Sequence, residues 1–166
     1  MDIGPATRDD CDAIAALWNP IINDTTITFN SQPKTVEMLR ELLEAKTRDD
    51  QPFLLARDGD ALAGFATYGR FRGGNGYDRT VEHTIMLGAH ARGRGLGRVL
   101  LTAIEDHART RAIHTMVAGL SADNGAAIAF HAAMGYVESG RMAQVARKFG
   151  HWQDLVLMQK TLNTPK

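Results

Sequence analysis

The sequence predicts an α/β protein in which helices cover both faces of a mixed sheet. Helix and strand patterns follow one another in the order β-α-α-β-β-β-α-β-α-β-β, which is typical of that architecture. An Asp58-Gly59 pair between two apolar runs indicates a β-hairpin, so part of the sheet is antiparallel. A glycine-rich segment, residues 91–98, lies between a strand pattern and a helix pattern. No repeat or linker interrupts the chain, and we expect one domain over residues 1–166.

The first part of the chain is predicted to form one strand and two helices. Residues 1–6 read as a short strand. Residues 7–10 are a helix-capping cluster followed by apolar residues at helical spacing, and Pro20 is expected to end this first helix or to lie just beyond it. Residues 23–30 are polar and irregular. A second helix is predicted over residues 35–46, where apolar residues recur every three or four positions.

The middle of the chain is predicted to form the hairpin and the strand that precedes the glycines. The hairpin strands cover residues 52–57 and 61–68, which are apolar and rich in strand formers. Residues 70–78 read as a loop or a splayed strand end, because glycine and asparagine are frequent there. A strand follows over residues 80–87. A helix is expected to begin near Leu96, since apolar residues recur behind it at helical spacing.

The last part of the chain is predicted to add strands and one helix. An apolar run over residues 113–120 indicates a strand, and residues 124–134 indicate a helix that ends at a glycine. A short strand is expected to begin at Tyr136. Residues 141–150 read as a polar connection, and residues 152–160 as the final strand.

The composition excludes several classes of function. The chain has 166 residues, of which 44% are hydrophobic, as expected for a globular domain. It carries 19 basic and 19 acidic residues, and the net charge of zero argues against nucleic acid or an anionic membrane as the main partner. The single cysteine, Cys11, permits no internal disulfide. With neither a leader peptide nor a membrane-spanning run expected, we predict a cytoplasmic protein.

Residues 91–98, Ala-Arg-Gly-Arg-Gly-Leu-Gly-Arg, have the composition of an anion-binding loop. At a strand-to-helix junction, such a turn can direct unpaired backbone N–H groups towards one point, and the helix N-terminus adds partial positive charge. Phosphate or pyrophosphate suits this arrangement, with arginines at its rim. The P-loop and Rossmann patterns fit poorly, because Gly-Lys-Ser/Thr and the third Rossmann glycine are absent. The glycines alone would also fit a tight turn without a ligand.

The spacing Arg92-x-x-Gly95-x-Gly97 resembles the acyl-CoA pyrophosphate loop of the GNAT superfamily of N-acetyltransferases. Other segments resemble its phosphinothricin acetyltransferase branch, which includes enzymes that act on methionine sulfoximine and methionine sulfone. These segments are Trp18-Asn19 with Thr25-Thr26, Tyr68-Gly69 with Thr80-Val81-Glu82-His83, residues 124–136, and Lys148-Phe149-Gly150-His151-Trp152. The resemblance covers nearly the whole chain. It implies the GNAT fold, with a mixed, mostly antiparallel twisted sheet of about six to seven strands flanked by about four helices, and a homodimer.

The resemblance also implies a reaction, in which acetyl-CoA is the co-substrate and the primary amine of a small amino-acid-like molecule attacks it directly. This reaction needs a proton acceptor for the amine, a donor to the oxyanion and a proton for the leaving thiolate. The resemblance at Glu82 implies that this residue is the base, and a carboxylate within an apolar strand is costly unless it has a task or a partner. His131 is predicted to be a general acid or polariser near the thioester. Each also has a structural alternative, as a solvated or paired carboxylate and as a packed helix histidine.

The remaining predicted site residues form two groups. The cofactor-binding group is Ile85, Met86, Leu87, Arg92, Gly93, Arg94, Gly95, Leu96, Gly97, Arg98 and Asn124. The substrate-binding group is Phe29, Phe71, Arg72, Gly73, Gly74, Tyr77, Glu82, His83 and Thr84. Family analogy expects the oxyanion donor to be a backbone N–H near Met86 or Leu87. Asn124 is predicted to contact the cofactor or cap a helix, and Arg72 to bind a substrate carboxylate. Alternation along the strand also gives His83 a structural role.

Other functions stay open at this point. The same fold would serve an acetyltransferase that acts on a protein N-terminus or a polyamine, or a CoA-binding module without catalysis. Two departures bear on the cofactor contacts: Ala127 replaces a serine common in the family, and residues 84–87 lack its usual tyrosine. No metal site is predicted, because the histidines lack partners at ligand spacing. Cys11 has no positive neighbour at helical spacing, which disfavours a covalent thiol intermediate.

Overall fold

The computed structural model describes residues 2–162 and consists of seven strands and four α-helices. The strands are β1 (Asp2–Pro5), β2 (Phe53–Asp58), β3 (Ala61–Arg70), β4 (Thr80–Leu87), β5 (Thr115–Ser121), β6 (Val137–Lys148) and β7 (His151–Thr161). The helices are α1 (Cys11–Asp24), α2 (Val36–Arg48), α3 (Leu96–Thr110) and α4 (Gly125–Ala133). The strands form one sheet in the order β1-β2-β3-β4-β5-β7-β6. Only β4 and β5 are parallel neighbours, so the predicted mixed, mostly antiparallel sheet is confirmed.

Helix α1 continues through Pro20, so the prediction that it ends there is wrong. Proline inside a helix lacks one N–H donor and costs about 3 kcal/mol. Beyond it, Ile21 and Ile22 are buried in the core, and burying two such side chains contributes about 3–6 kcal/mol. The Thr25 hydroxyl also donates a hydrogen bond to the Ile21 carbonyl at the end of the helix. Burial of the last turn therefore outweighs the local cost.

The segment predicted as a polar connection, residues 141–150, is mostly strand. It belongs to β6, which pairs with β7 in an antiparallel ladder whose register shifts between Glu138 and Gly140 and between Met142 and Ala146. Strand β6 lies at the edge of the sheet, and most of its residues are exposed. An edge strand needs no regular apolar alternation, so the periodicity that identified the other strands is missing here.

Two apolar cores lie on opposite faces of the sheet. One core joins α3 to the sheet through Leu100, Leu101 and Ile104. The other joins α1 and α2 to it and includes Phe65 and Met86. Because side chains alternate along a strand, successive residues of β4 face these two cores in turn. No helix within residues 2–162 is long and apolar enough to cross a membrane.

The two parallel strands in the centre of the sheet separate part of the way along. They pair from Thr80 opposite Thr115 as far as His83 opposite Ala118. Beyond that point β4 stays paired with β3, and β5 stays paired with β7, but β4 and β5 no longer pair with each other. This divergence opens the sheet between residues 84–87 and 119–121, and it positions the site described next.

Candidate active site

A cleft of about 700 Å³ occupies the opening between β4 and β5. Residues of α1, α3 and α4 and the loop after α1 complete its walls. Its size suits a small ligand or the reactive end of a larger one. Many of the predicted site residues line it: Phe29, Glu82, His83, Thr84, Ile85, Met86, Leu87, Arg92, Gly93, Gly95, Leu96, Gly97, Arg98, Asn124 and His131.

The cleft connects the two faces of the sheet. On β4, Met86 packs in the core beneath α1 and α2, and Glu82 shares its face because the two are four residues apart. His83 lies on the other face, where its ring stacks on His131 of α4 with 5.1 Å between ring centroids. The Glu82 carboxylate and the stacked imidazoles of His83 and His131 therefore lie on opposite faces of the sheet at the opening.

The Glu82 carboxylate has no hydrogen-bond or ion-pair partner among residues 2–162. Burial raises the pKa of Glu82 above the ordinary value for a glutamate. A partly buried carboxylate without a cation beside it accepts a proton more readily than one in water. This is the state that a general base for an amine requires.

The hydrogen bond of His131 determines its tautomer. Its Nδ1 lies 2.7 Å from the Ala127 carbonyl oxygen, and a carbonyl only accepts, so Nδ1 carries the proton of the neutral ring. Its Nε2 is buried and has no partner in the described part of the chain. Burial lowers the pKa of His131, which favours the uncharged ring. In this form Nε2 can accept a proton but has none to donate.

His83 is a second buried imidazole beside the first. It is 6% exposed, and neither of its nitrogens has a partner among the described residues. Burial, with a smaller contribution from His131, lowers the pKa of His83 to about 3. His83 is therefore uncharged at neutral pH. Its stack on His131 supports the structural role that alternation predicted for it.

The glycine loop leads directly into α3 at the edge of the cleft. Gly93 and Gly95 have φ values of 73° and 80°, in the left-handed region that favours glycine. The N–H groups of Leu96, Gly97 and Arg98 precede the first hydrogen bond of the helix, which Val99 donates to Gly95. These donors and the positive end of the helix suit an anion.

The three arginines of this loop are not equivalent. Arg94 forms an ion pair of 2.6 Å with Asp58 and does not line the cleft, although it was predicted to bind the cofactor. Arg92 and Arg98 line the cleft, and neither has an acidic partner within residues 2–162. Two cations that are free to bind an anion therefore flank the start of α3.

Comparison with known proteins identifies the family to which this cleft belongs. The profile of the acetyltransferase (GNAT) family matches residues 18–136, which include β4, the glycine loop, α3, β5 and α4. The chain belongs to the GNAT family of acetyltransferases.

Similar GNAT proteins share most of their length with this chain. It is 38% identical over 156 residues to an L-methionine sulfoximine/L-methionine sulfone acetyltransferase of Pseudomonas paraeruginosa, which covers 93% of this chain and 90% of the relative. It is 36% identical to the L-amino acid N-acyltransferase MnaT of Escherichia coli, over 98% and 95% of the two chains. The structure of yncA, a putative acetyltransferase from Salmonella typhimurium with its cofactor acetyl-CoA, matches with a TM-score of 0.95 at 33% identity, over 100% of this chain and 96% of that one. The predicted GNAT fold and acetyl-CoA-dependent N-acetyltransferase class are confirmed.

Within the GNAT cleft, Asn124 caps a helix, which was one of its two predicted roles. Its Oδ1 accepts a hydrogen bond of 3.1 Å from the N–H of Ala127 at the start of α4. The amide nitrogen of the same side chain takes no part in this bond. Because Asn124 also lines the cleft, a cofactor contact remains compatible with the cap.

The loop after β3 does not reach the GNAT cleft of this chain. Phe71, Arg72, Gly73, Gly74 and Tyr77, all predicted to bind substrate, are absent from its walls. The rings of Phe71 and Tyr77 pack edge to face at 6.2 Å, and the Arg72 guanidinium lies 5.3 Å from the Phe71 centroid. The loop thus packs on itself, which is the structural alternative to a binding role.

The GNAT cleft also contains residues that the sequence did not single out for the site. Trp18 of α1, Ile27 and Thr28 of the following loop, and Phe130 of α4 line its walls. Gly119 of β5 is another, and an isolated glycine within a strand pattern is a signal of close approach that could have identified it. No group of three metal-ligating side chains occurs within residues 2–162, and Cys11, the first residue of α1, is fully buried in the core.

Proposed function

We propose that this GNAT enzyme acetylates the primary amine of a small amino-acid-like substrate, of the phosphinothricin, methionine sulfoximine or methionine sulfone type. The amine attacks the thioester directly while both substrates are bound. The observation that carries this proposal is the cleft that crosses the sheet, with an unpaired carboxylate on one face and an anion-binding loop at the other. The substrates named for the relatives support an acceptor of this chemical class.

The residues of the cleft fit acetyl-CoA. Its pyrophosphate would bind the free N–H groups at the start of α3 together with Arg92 and Arg98. Apolar side chains farther along, including Leu87, Leu120 and Phe130, would contact the pantetheine arm. When bound, the cofactor supplies an acetyl thioester. The side chains that line the cleft would orient that group.

Glu82 removes a proton from the substrate ammonium, either directly or through a water molecule, and the amine then attacks the thioester carbon. As the C–N bond forms and the C–S bond breaks, the nitrogen loses its second proton to water, and the leaving CoA thiolate takes up a proton from water.

The oxyanion is stabilised by a backbone N–H of β4. Gly88 donates its N–H to Ala63 of β3, and N–H groups alternate along an antiparallel strand, so those of Ile85 and Leu87 face away from β3. Both lie beyond the last pairing with β5, on the open side. This alternation favours Leu87 over Met86 as the oxyanion donor.

The tautomer of His131 argues against the general-acid role that was predicted for this residue from the sequence. With the proton on Nδ1, its Nε2 acts as an acceptor that holds a water molecule or takes up a proton during the reaction. Two-bond ¹H–¹⁵N NMR spectra of the free enzyme are expected to show neutral His131 with Nδ1 protonated. Its ring should titrate below the pKa of an ordinary histidine, because burial lowers that pKa. A spectrum with the proton on Nε2 would restore the general-acid assignment.

The acceptor class can be tested by the release of free thiol from acetyl-CoA. The panel contains phosphinothricin, methionine sulfoximine, methionine sulfone, ordinary amino acids, a polyamine and a short peptide with a free N-terminus. We expect turnover with the methionine-like amines and phosphinothricin. Turnover with the peptide or the polyamine alone would contradict this acceptor class. Binding of acetyl-CoA without turnover of any amine would indicate a non-catalytic module.

We also propose that the enzyme is a cytoplasmic homodimer. Large apolar side chains are exposed on the edge formed by β6 and β7, among them Val137, Met142 and Trp152. A second copy that covered this edge would remove them from water and protect the strand edge. Sedimentation equilibrium is expected to give twice the mass of the chain. The buried, unpaired Cys11 is compatible with a reducing compartment.

A further inference from the structure

Gly119 of β5 leaves the space that the Glu82 carboxylate occupies. Glu82 pairs with Val117 across the two parallel strands, and Gly119 lies two residues farther along the same face. A methyl group added at Gly119 would lie 2.6 Å from Oε1 of Glu82, a separation that Cβ atoms essentially never show. Any side chain at this position therefore displaces the carboxylate or is itself displaced.

The backbone does not require a glycine at this position. Gly119 is not among the glycines with positive φ, whereas Gly93 and Gly95 of the glycine loop are. A glycine inside a strand weakens it, because the residue packs no side chain and loses more conformational entropy on folding. The close approach of the Glu82 carboxylate explains why no side chain is present at this position.

Nothing else fixes the carboxylate in place. Glu82 makes no hydrogen bond or ion pair with the residues that the structure describes. The gap beside Gly119 lies just past the last paired residues of β4 and β5. At this point the cleft opens, and both Glu82 and Gly119 line it.

We propose that Gly119 is a positioning residue that allows the Glu82 carboxylate to lie at the point where β4 and β5 separate. This inference rests on the proposed role of Glu82 as the base. A carboxylate that is displaced from the gap can still accept a proton, but it no longer lies next to the acceptor amine. Because proton transfer requires hydrogen-bond distance, such a shift lowers the rate without changing cofactor binding.

The test is the Gly119→Ala variant, assayed with acetyl-CoA and the best amine of the panel. We expect kcat/KM for the amine to fall about tenfold near neutral pH, while the Kd for acetyl-CoA is unchanged. The loss should shrink as the pH approaches the pKa of the amine, since a deprotonated amine needs no base. The matched control is Gly4→Ala, at a strand glycine with nothing within 4 Å of the added methyl, and it should retain full activity.

The Glu82→Gln background separates this inference from the proposed base. Adding Gly119→Ala to that background should cause no further loss, because no carboxylate is left to displace. A further loss there, or an equal loss at every pH, would mean that the methyl obstructs the substrate and would overturn the positioning role. If Glu82 were not the base, the Glu82→Gln variant would instead keep native activity.

If the Gly119→Ala variant does not fold, a second variant tests whether the carboxylate must lie beside Gly119. Glu82→Asp keeps the charge but withdraws the carboxylate from β5 by one methylene, so we expect at least about a tenfold loss of kcat/KM near neutral pH. An aspartate as active as glutamate would overturn the inference, since the position beside Gly119 would then be dispensable.

Discussion

Replacing Glu82 with glutamine is expected to lower kcat/KM for the amine by about 10²–10³-fold near neutral pH. The variant keeps the size of the side chain and loses only its ability to accept a proton. The Kd for acetyl-CoA should not change, because Glu82 lies near the start of β4 whereas the glycine loop follows the end of that strand. Steady-state kinetics on the amine and calorimetry on the cofactor measure the two effects separately.

The pH profile gives the Glu82 prediction a second measurement. Burial raises the pKa of Glu82, so the ionised form is lost as the pH falls, from a point above the range of an ordinary glutamate. The native enzyme should lose activity over that interval, and the glutamine variant should lack this limb. The control is Glu44→Gln on the exposed side of α2, which should behave as the native chain. A glutamine variant with an unaltered limb would exclude Glu82 as the base.

Local features of the structure were predictable from the sequence. The hairpin turn at Gly59 and the left-handed turn at Gly95 depend on residues that lie next to one another, and both occur where the glycine signals indicated. The start of α3 follows from the same short stretch. The divergence of β4 and β5 was not predictable from periodicity, because both strands keep strand character after they separate.

Features that depend on distant contacts could not be predicted. The last turn of α1 is stable because Ile21 and Ile22 are buried, and Ile21 packs in a core that includes residues far along the chain, whereas the proline signal is local. Strand β6 gains its order from β7 and carries no apolar alternation of its own. Gly119 was visible as a glycine in a strand, but its relation to Glu82 depends on the register of two parallel strands.

The arginines of the glycine loop show the same limit, since they look alike in the sequence. Arg94 differs from Arg92 and Arg98 only because the β2–β3 hairpin brings Asp58 to it from 36 residues away. A pattern of alternating glycine and arginine cannot reveal which cation is already paired. The arginines that are free to bind the cofactor can therefore be predicted from the structure but not from the motif.

Replacing Arg92 and Arg98 together with glutamine is expected to raise the Kd for acetyl-CoA by at least about 100-fold. Each charge-assisted hydrogen bond to a phosphate contributes about 1.5–3 kcal/mol, and about 1.4 kcal/mol corresponds to a factor of ten. Calorimetric titration of the native and double-variant enzymes measures the change. The native Kd should also rise with ionic strength more steeply than that of the double variant, because the variant has lost the charges that salt screens.

Arg94→Gln is the matched control, with the same substitution in the same loop. Arg94 is already paired with Asp58 and lies outside the cleft, so its loss should change the Kd by no more than about threefold. Dephospho-CoA, which keeps the pyrophosphate but lacks the 3′-phosphate, should lose affinity in the double variant by the same factor as CoA. A smaller factor would assign the two arginines to the 3′-phosphate. An Arg94→Gln effect as large as that of the double variant would mean that the loop rearranges on binding and releases Arg94 from Asp58.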